Sequence, residues 1–229
     1  MTQGNKERPT RAGSAEVRFA AVAELRQDED GNRWARGFIP YGVETIIGGV
    51  FREVIEPGFF APALAEGQRV LARYNHTELL GSTSARPPSL ILRDTPDGLE
   101  YEAELMGTTP AGATVAAHLE RGNITQSSFA FLTRGPESDD EEWVDASGDD
   151  ELPLRKLKRA DRLVDVAPVD AGAYGDAATV GLRGAYEVRS AGEVLDEWQS
   201  LRARARADDA ASDAARDRKS TRLNSSHYS

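Results

Sequence analysis

Apolar and polar positions alternate through Ala15-Glu16-Val17-Arg18-Phe19-Ala20-Ala21-Val22, which sets Val17 and Phe19 on one face of a strand. Asp28-Glu29-Asp30-Gly31-Asn32 has turn chemistry, and Trp34-Ala35-Arg36-Gly37-Phe38-Ile39-Pro40 reads as the returning strand of a hairpin. Further strands are predicted at Val70–Tyr74, Ser89–Leu92, Gly98–Leu105 and Ser128–Leu132; the last two alternate as half-buried strands do. Thr109 suits the N-cap of a helix that opens with Pro110 and runs to Arg121, with Gly122 as its stop. A shorter helix is expected from Phe59 to Leu64. Many short strands with two helical insertions predict an α+β domain, a mainly antiparallel β-barrel with surrounding helices, over a parallel sheet of regular strand-helix repeats.

The pattern also places the boundaries. Residues 1–15 carry no apolar periodicity and are expected to form a flexible N-terminus, so the folded domain spans residues 16–182. Between Glu137 and Glu151 the run of Asp and Glu contains no basic residue; such a run repels itself and is expected to be a solvated loop, and its spacing fits no calcium-loop template. Residues 183–219 read as a charged helical tail, with Val194, Leu195, Trp198 and Leu201 on one apolar stripe that docks on the domain or on a partner. The last ten residues, Ser220 to Ser229, change composition abruptly, resemble a translated sequencing adaptor and are read as an artefactual tail, which sets His227 aside.

Composition narrows the chemistry. A chain of 229 residues with 39% hydrophobic content suits one buried domain plus tails. With no cysteine, disulfides, thiolate metal sites and cysteine nucleophiles are excluded. The formal charge of -10 argues against a nucleic-acid-binding face, which needs clustered Lys and Arg. No apolar run has the length of a membrane span, and the polar N-terminus lacks the apolar centre of a signal peptide, so a soluble, non-secreted protein with no membrane partner is expected.

Three residues carry candidate chemistry. His76 follows the strand-like Val70–Tyr74, near a strand end where reactive groups are commonly displayed. Ser127 and Ser128 open an otherwise apolar strand, and Asp165 interrupts Leu163-Val164-Asp165-Val166, where a carboxylate is costly unless paired. Imidazole, hydroxyl and carboxylate together suit acyl transfer, in which a weakly acidic hydroxyl passes its proton to an imidazole that a carboxylate orients. Each also has an ordinary structural reading: a hydrogen-bonded histidine, a hydroxyl satisfying backbone at a strand start, and the outward face of a strand. His118, beside Glu120 and Arg121 in the predicted helix, reads as solvent-facing, and the absence of Gly-x-Ser-x-Gly argues against the nucleophile elbow of α/β-hydrolases.

Between about Arg18 and Tyr174 the chain resembles the phage prohead protease family, the serine peptidases that mature tailed-phage capsids. The anchors are Glu53-Val54-Ile55-Glu56-Pro57-Gly58-Phe59-Phe60, Asn75-His76 with Gly81, and Asp97-Gly98-Leu99; they continue with Gly122-Asn123-Ile124, Ser128-Phe129-Ala130-Phe131, and Leu163-Val164-Asp165-Val166 with Val169 and Ala173-Tyr174. The resemblance implies His76 as base, Ser128 rather than Ser127 as nucleophile, and Asp165 as the third member. The sequence departs from the usual family pattern in having Asp165 where Glu is common, Ala167 where Ser is common, Gly172 where Pro is common, and Thr77 where an acidic residue often follows the histidine.

The resemblance further implies a fold similar to herpesvirus assemblin and catalysis without a cofactor. Its implied substrates are scaffold protein or the scaffold-like segment of the major capsid protein, with the chain's own tail, inside the assembling prohead in the bacterial cytoplasm. Homo-oligomerisation stays open. The rivals are a non-catalytic, protease-like assembly module, which requires Ser128 and His76 to lie apart, and a metal hydrolase, which requires His76 among several carboxylates. Oxyanion stabilisation is expected from backbone N–H groups, and Arg134 reads as a surface arginine in preference to a charged helper there.

Overall fold

The structure is a computed structural model that describes residues 15–20, 22–148, 151–170, 190–204 and 206–207. Its strands are β1 (Glu16–Ala20), β2 (Val22–Gln27), β3 (Arg33–Pro40), β4 (Thr45–Ile47), β5 (Phe51–Ile55), β6 (Leu71–Tyr74), β7 (Glu78–Ser82), β8 (Leu90–Thr95), β9 (Gly98–Glu104), β10 (Gln126–Leu132), β11 (Glu141–Val144), β12 (Leu154–Leu157) and β13 (Arg162–Val169). The helices are α1 (Ala61–Ala65), α2 (Pro110–Glu120) and α3 (residues 191–204). The strands make three sheets, ordered β1-β10-β13-β6-β7, β11-β12-β5-β4 and β2-β3-β9-β8. Among these pairings β12–β5 and β13–β6 are parallel and the others antiparallel.

The sheets are open: among the described residues their hydrogen-bonded order closes no ring, so the mostly-β architecture with few helices is present without a closed barrel. One physical reason lies where β10 crosses the β2-β3-β9-β8 sheet. A Cβ at Gly37 would meet Tyr101 and Ser127 at 2.2 to 2.3 Å, so the two sheets touch through the missing side chain and the 2.8 Å Tyr101–Ser127 hydroxyl contact. Packed faces, rather than a shared ladder, join them there.

Alternation along β3 and β9 sends Ala35, Ile39, Leu99, Tyr101 and Ala103 into the core, where Phe59, Phe60, Phe129 and Phe131 meet them. The four phenylalanines interlock edge-to-face and offset, with centroids 4.8 to 5.5 Å apart, arrangements aromatic quadrupoles favour. The α2 helix begins as the sequence predicts: the Thr109 hydroxyl accepts from Gly112 N–H at 3.1 Å, and Gly122 follows with φ 70°.

One expectation changes, and one open alternative is decided. The acidic run is not simply a solvated loop, because it contains β11 and buries Asp140 and Glu141. Arg134 takes Asp140 through its backbone N–H and guanidinium, while buried Arg155 pairs with Glu141, so the charges the run cannot neutralise itself are met from elsewhere. The tail helix docks on the domain: Ala191 and Val194 pack on Phe51, Trp198 stacks on Trp143 at 4.8 Å, and Arg202 pairs with Asp145 while lying over the Trp198 ring. Residues 1–14, Ala173-Tyr174 and the ten-residue C-terminal tail lie outside the described residues.

Candidate active site

Three neighbouring strands each deliver one candidate residue. Central β13 carries Asp165 opposite Ala130 of β10 on one side and Leu71 of β6 on the other. Ser128 lies on β10, opposite Ala167. His76 follows β6 in a tight reversal where both Asn75 and His76 take left-handed backbone angles, φ 49° and 57°. That conformation is uncommon outside glycine, and Asn and His are among the residues that tolerate it best. The reversal is tied to the end of β13: Asn75 N–H donates to Pro168 C=O at 3.2 Å, and Asp170 N–H donates to Asn75 Oδ1 at 3.2 Å. Its effect is to fold the imidazole back over the sheet, leaving His76 3% exposed.

His76 Nδ1 lies 2.7 Å from Asp165 Oδ1, and Nε2 lies 2.6 Å from Ser128 Oγ. A carboxylate can only accept, so the Nδ1 proton points at Asp165 and a neutral ring turns its Nε2 lone pair to the serine hydroxyl. Asp165 and Ser128 are fully buried, which strengthens each contact and makes loss of any partner costly. Arg73 supports the carboxylate: its Nε lies 3.7 Å from Asp165 Oδ2, and its Nη1 donates to Thr77 C=O at 2.6 Å across the histidine turn. Ser128 Oγ also lies 2.8 Å from Arg18 C=O, to which it can donate.

The neighbouring Ser127 has a different environment. Its Oγ meets Tyr101 Oη, whose phenol is pushed up by burial and only partly drawn back by the serine contact, so Tyr101 stays protonated. Arg134 is an exposed arginine engaged by Asp140, the surface role its sequence position favours. His118 is half-buried on α2, with Nδ1 3.1 Å from Asn123 Nδ2. Among the described residues no group of three or more His, Asp or Glu is placed to hold a metal ion. A cavity of about 450 Å³ lies elsewhere, lined by Trp143, Lys158, Trp198 and the acidic residues around Glu141.

Hydroxyl, imidazole and carboxylate thus stand in hydrogen-bonded series on adjoining strands. A family model described as caudovirus prohead serine protease matches residues 22–189, well over half of the chain. The chain belongs to the caudovirus prohead serine protease family. Among solved structures, this prohead-protease chain is similar to the capsid assembly protease gp21 of bacteriophage T4, with 12% identity and a TM-score of 0.42 over 69% of this chain and 99% of that one. No curated protein matches it.

Sequence reasoning missed two parts of this region of the prohead-protease chain. In sequence Arg73 reads only as one residue of a strand, although its place three residues before His76 puts it across the same turn. The buried group Glu16, Arg18, Glu53, Glu141 and Arg155 left no local signal, since its members lie on four different strands.

Proposed function

We propose that this chain is a serine endopeptidase acting in phage prohead maturation, with Ser128 as nucleophile, His76 as general base and acid, and Asp165 as the group that orients the imidazole. The observation that carries the reading is the continuous series Ser128 Oγ, His76 Nε2, His76 Nδ1, Asp165 Oδ1, with links of 2.6 and 2.7 Å. In the first step Ser128 Oγ attacks a peptide carbonyl carbon as its proton passes to Nε2. The imidazolium so formed is stabilised by Asp165 and returns the proton to the leaving amine. Water, deprotonated by the same nitrogen, then releases the acyl group and restores the serine. Backbone N–H groups near Ser128 would stabilise the oxyanion. Every step uses side chains of this chain, and no cofactor is required.

Family membership supports scaffold protein, or a scaffold-like segment of the major capsid protein, as substrate, and the inside of the assembling prohead as the place of action. The chain's own tail is a further proposed substrate. The same reading keeps the resemblance to an assemblin-like barrel as an expectation. No helix among the described residues is long and apolar enough to cross a membrane.

Co-expression with the neighbouring major capsid protein tests this. Intact mass should show truncation of the capsid protein and of this chain, and both truncations should vanish in Ser128→Ala and in His76→Ala, each of which removes about 10⁶-fold of turnover in a triad acting as a unit. Cleavage that persists in Ser128→Ala would overturn the nucleophile assignment. A complete absence of cleavage would favour the assembly-module reading, against which the 2.6 Å contact between Ser128 and His76 now stands.

A further inference from the structure

We propose that Arg73 is a positioning residue for the catalytic series: it holds the second oxygen of Asp165 and fastens the turn that carries His76, so that the imidazole is fixed between carboxylate and serine. The inference rests on the endopeptidase reading and adds to it a residue that acts through Asp165 and the turn rather than on the reacting atoms.

Strand register places Arg73 on the face where this can happen. The β6 strand lies parallel to β13, with Leu71 opposite Asp165 and Ala72 opposite Val166. Side chains alternate along a strand, so Arg73, two residues beyond Leu71, leaves the sheet on the face that carries Asp165. Ser128 shares this face, because its ladder partner Ala167 lies two residues beyond Asp165. On its other side β6 pairs with β7 through an irregularity: Ala72 opposes Gly81 and Arg73 opposes Leu79, which makes Leu80 an extra residue. In an unbroken register Arg73 would stand opposite Leu80, which packs in the hydrophobic core. The bulge sets the exposed Leu79 beside Arg73 instead and lets a cation occupy the catalytic face.

The guanidinium works in two directions. Nη1 donates to Thr77 C=O at 2.6 Å, and Nε lies 3.7 Å from Asp165 Oδ2. The first contact spans the histidine turn. Asn75 and His76 both hold left-handed angles there, a conformation that persists only where its surroundings fix it. Thr77 N–H and Oγ1 each donate to Tyr74 C=O at 3.0 Å and close the turn locally, while Arg73 ties the closed turn to β13. The second contact meets a fully buried charge. Asp165 Oδ1 accepts the His76 Nδ1 proton at 2.7 Å and Oδ2 faces Arg73, so each oxygen has its own direction and the carboxylate is not free to turn about its Cβ–Cγ bond. Arg73 Nε is buried and makes no hydrogen bond in the structure, so its proton is uncommitted at the edge of contact with Oδ2. Shortening by about 0.8 Å would bring the two to an ordinary charge-assisted length. A neutral imidazole brings no charge to Asp165, whereas the guanidinium offsets the buried carboxylate before any proton moves. Arginine suits this post because its planar fork sets Nε and Nη1 in fixed directions, whereas a lysine ammonium is a point charge on a flexible stem.

Steady-state kinetics of the full-length chain on a capsid-derived peptide, comparing wild type with Arg73→Gln and Arg73→Lys, tests this. A misplaced imidazole slows the reaction without weakening binding: Arg73→Gln should lower kcat about a hundredfold and leave KM within about twofold, and Arg73→Lys, which keeps the charge, should recover about tenfold of that loss. A kcat within about threefold of wild type in Arg73→Gln, a rise in KM with kcat unchanged, or no recovery by lysine would each overturn the inference while leaving the endopeptidase reading intact. If near-ultraviolet circular dichroism shows that Arg73→Gln does not fold, Arg73→Lys decides: kcat lowered about tenfold at unchanged KM supports the inference, and wild-type kcat overturns it. If wild type cleaves nothing, the endopeptidase reading falls, and proton NMR judges the positioning by itself. The Nδ1 proton of His76, held against Asp165, should give a far-downfield resonance that Asp165→Asn abolishes. Its loss in Arg73→Gln supports the inference, and its persistence unchanged overturns it.

Discussion

Asp165 is the residue whose environment separates the structural reading from the chemical one. A carboxylate on the outward face of a strand would be solvated; this one is fully buried, receives the His76 Nδ1 proton at 2.7 Å and has Arg73 Nε at 3.7 Å. Replacing it with Asn keeps the shape but offers His76 the choice of donating or accepting at Nδ1, so the wrong tautomer becomes accessible. Asp165→Asn is expected to lower kcat by about 10⁴-fold with little change in KM. Steady-state kinetics on a capsid-derived peptide, with near-ultraviolet circular dichroism to establish folding, measures both. Retention of kcat within a few-fold would assign orientation of the imidazole to another group. The Asp in place of the more usual Glu is accommodated because β13 runs between the strands of the other two residues, so a short side chain already reaches the ring.

At the scale of elements, α3 shows how a pattern acquires a partner. The stripe Val194, Leu195, Trp198 was legible in sequence, but the surface it covers is assembled from residues far apart in the chain: Ile47, Val50, Phe51 and Trp143. The stacked tryptophans, 4.8 Å apart and inclined 14°, join the helix to β11. Trp198→Ala is expected to release α3 from this face and to cost about 1 to 2 kcal/mol, less than a core tryptophan because Trp198 is half-buried. The check is tryptophan emission and thermal unfolding: Trp143 should shift to longer wavelength and the unfolding midpoint should fall. If neither changes, the helix is not held by this contact. The acidic run teaches the converse lesson. Charge counting predicted solvation, but Arg134 lies just before the run and Arg155 just after it, and folding brings both cations onto its carboxylates.

Across the whole molecule, stability in acid should depend on carboxylates held by arginines. Glu102 is buried, which alone would raise its pKa, but hydrogen bonds from Arg93 and Arg26 outweigh this and hold it below the ordinary 4.5. Asp140 is likewise raised by burial and more strongly lowered by Arg134, to below the ordinary 3.8. Depressed values in the folded state mean that the unfolded chain binds protons first. The stabilisation is therefore full above the ordinary values and is lost as pH falls through the depressed ones. The unfolding midpoint is expected to decline below about pH 4.5, and to decline less steeply in Glu102→Gln, whose neutral side chain no longer takes up that proton. Thermal melts from pH 7 to pH 3 compare the two slopes; identical slopes would remove Glu102 from the acid response.

The sequence by itself determined the strands with period-two alternation, the capped α2 helix and the residue types able to carry acyl transfer, because each depends on neighbours within a few positions. It also determined family membership, through the order and spacing of many short anchors. Tertiary structure alone decided that the described sheets stay open, that Ser128, His76 and Asp165 meet within hydrogen-bond reach, and that β1 pairs beside the strand of Ser128. Those outcomes depend on which strands become neighbours: β13 between β10 and β6 brings three distant residues into one hydrogen-bonded line, and Gly37 lets Tyr101 capture Ser127. Local sequence encodes which face of a strand a side chain takes, whereas its partner is set by packing between segments tens of residues apart.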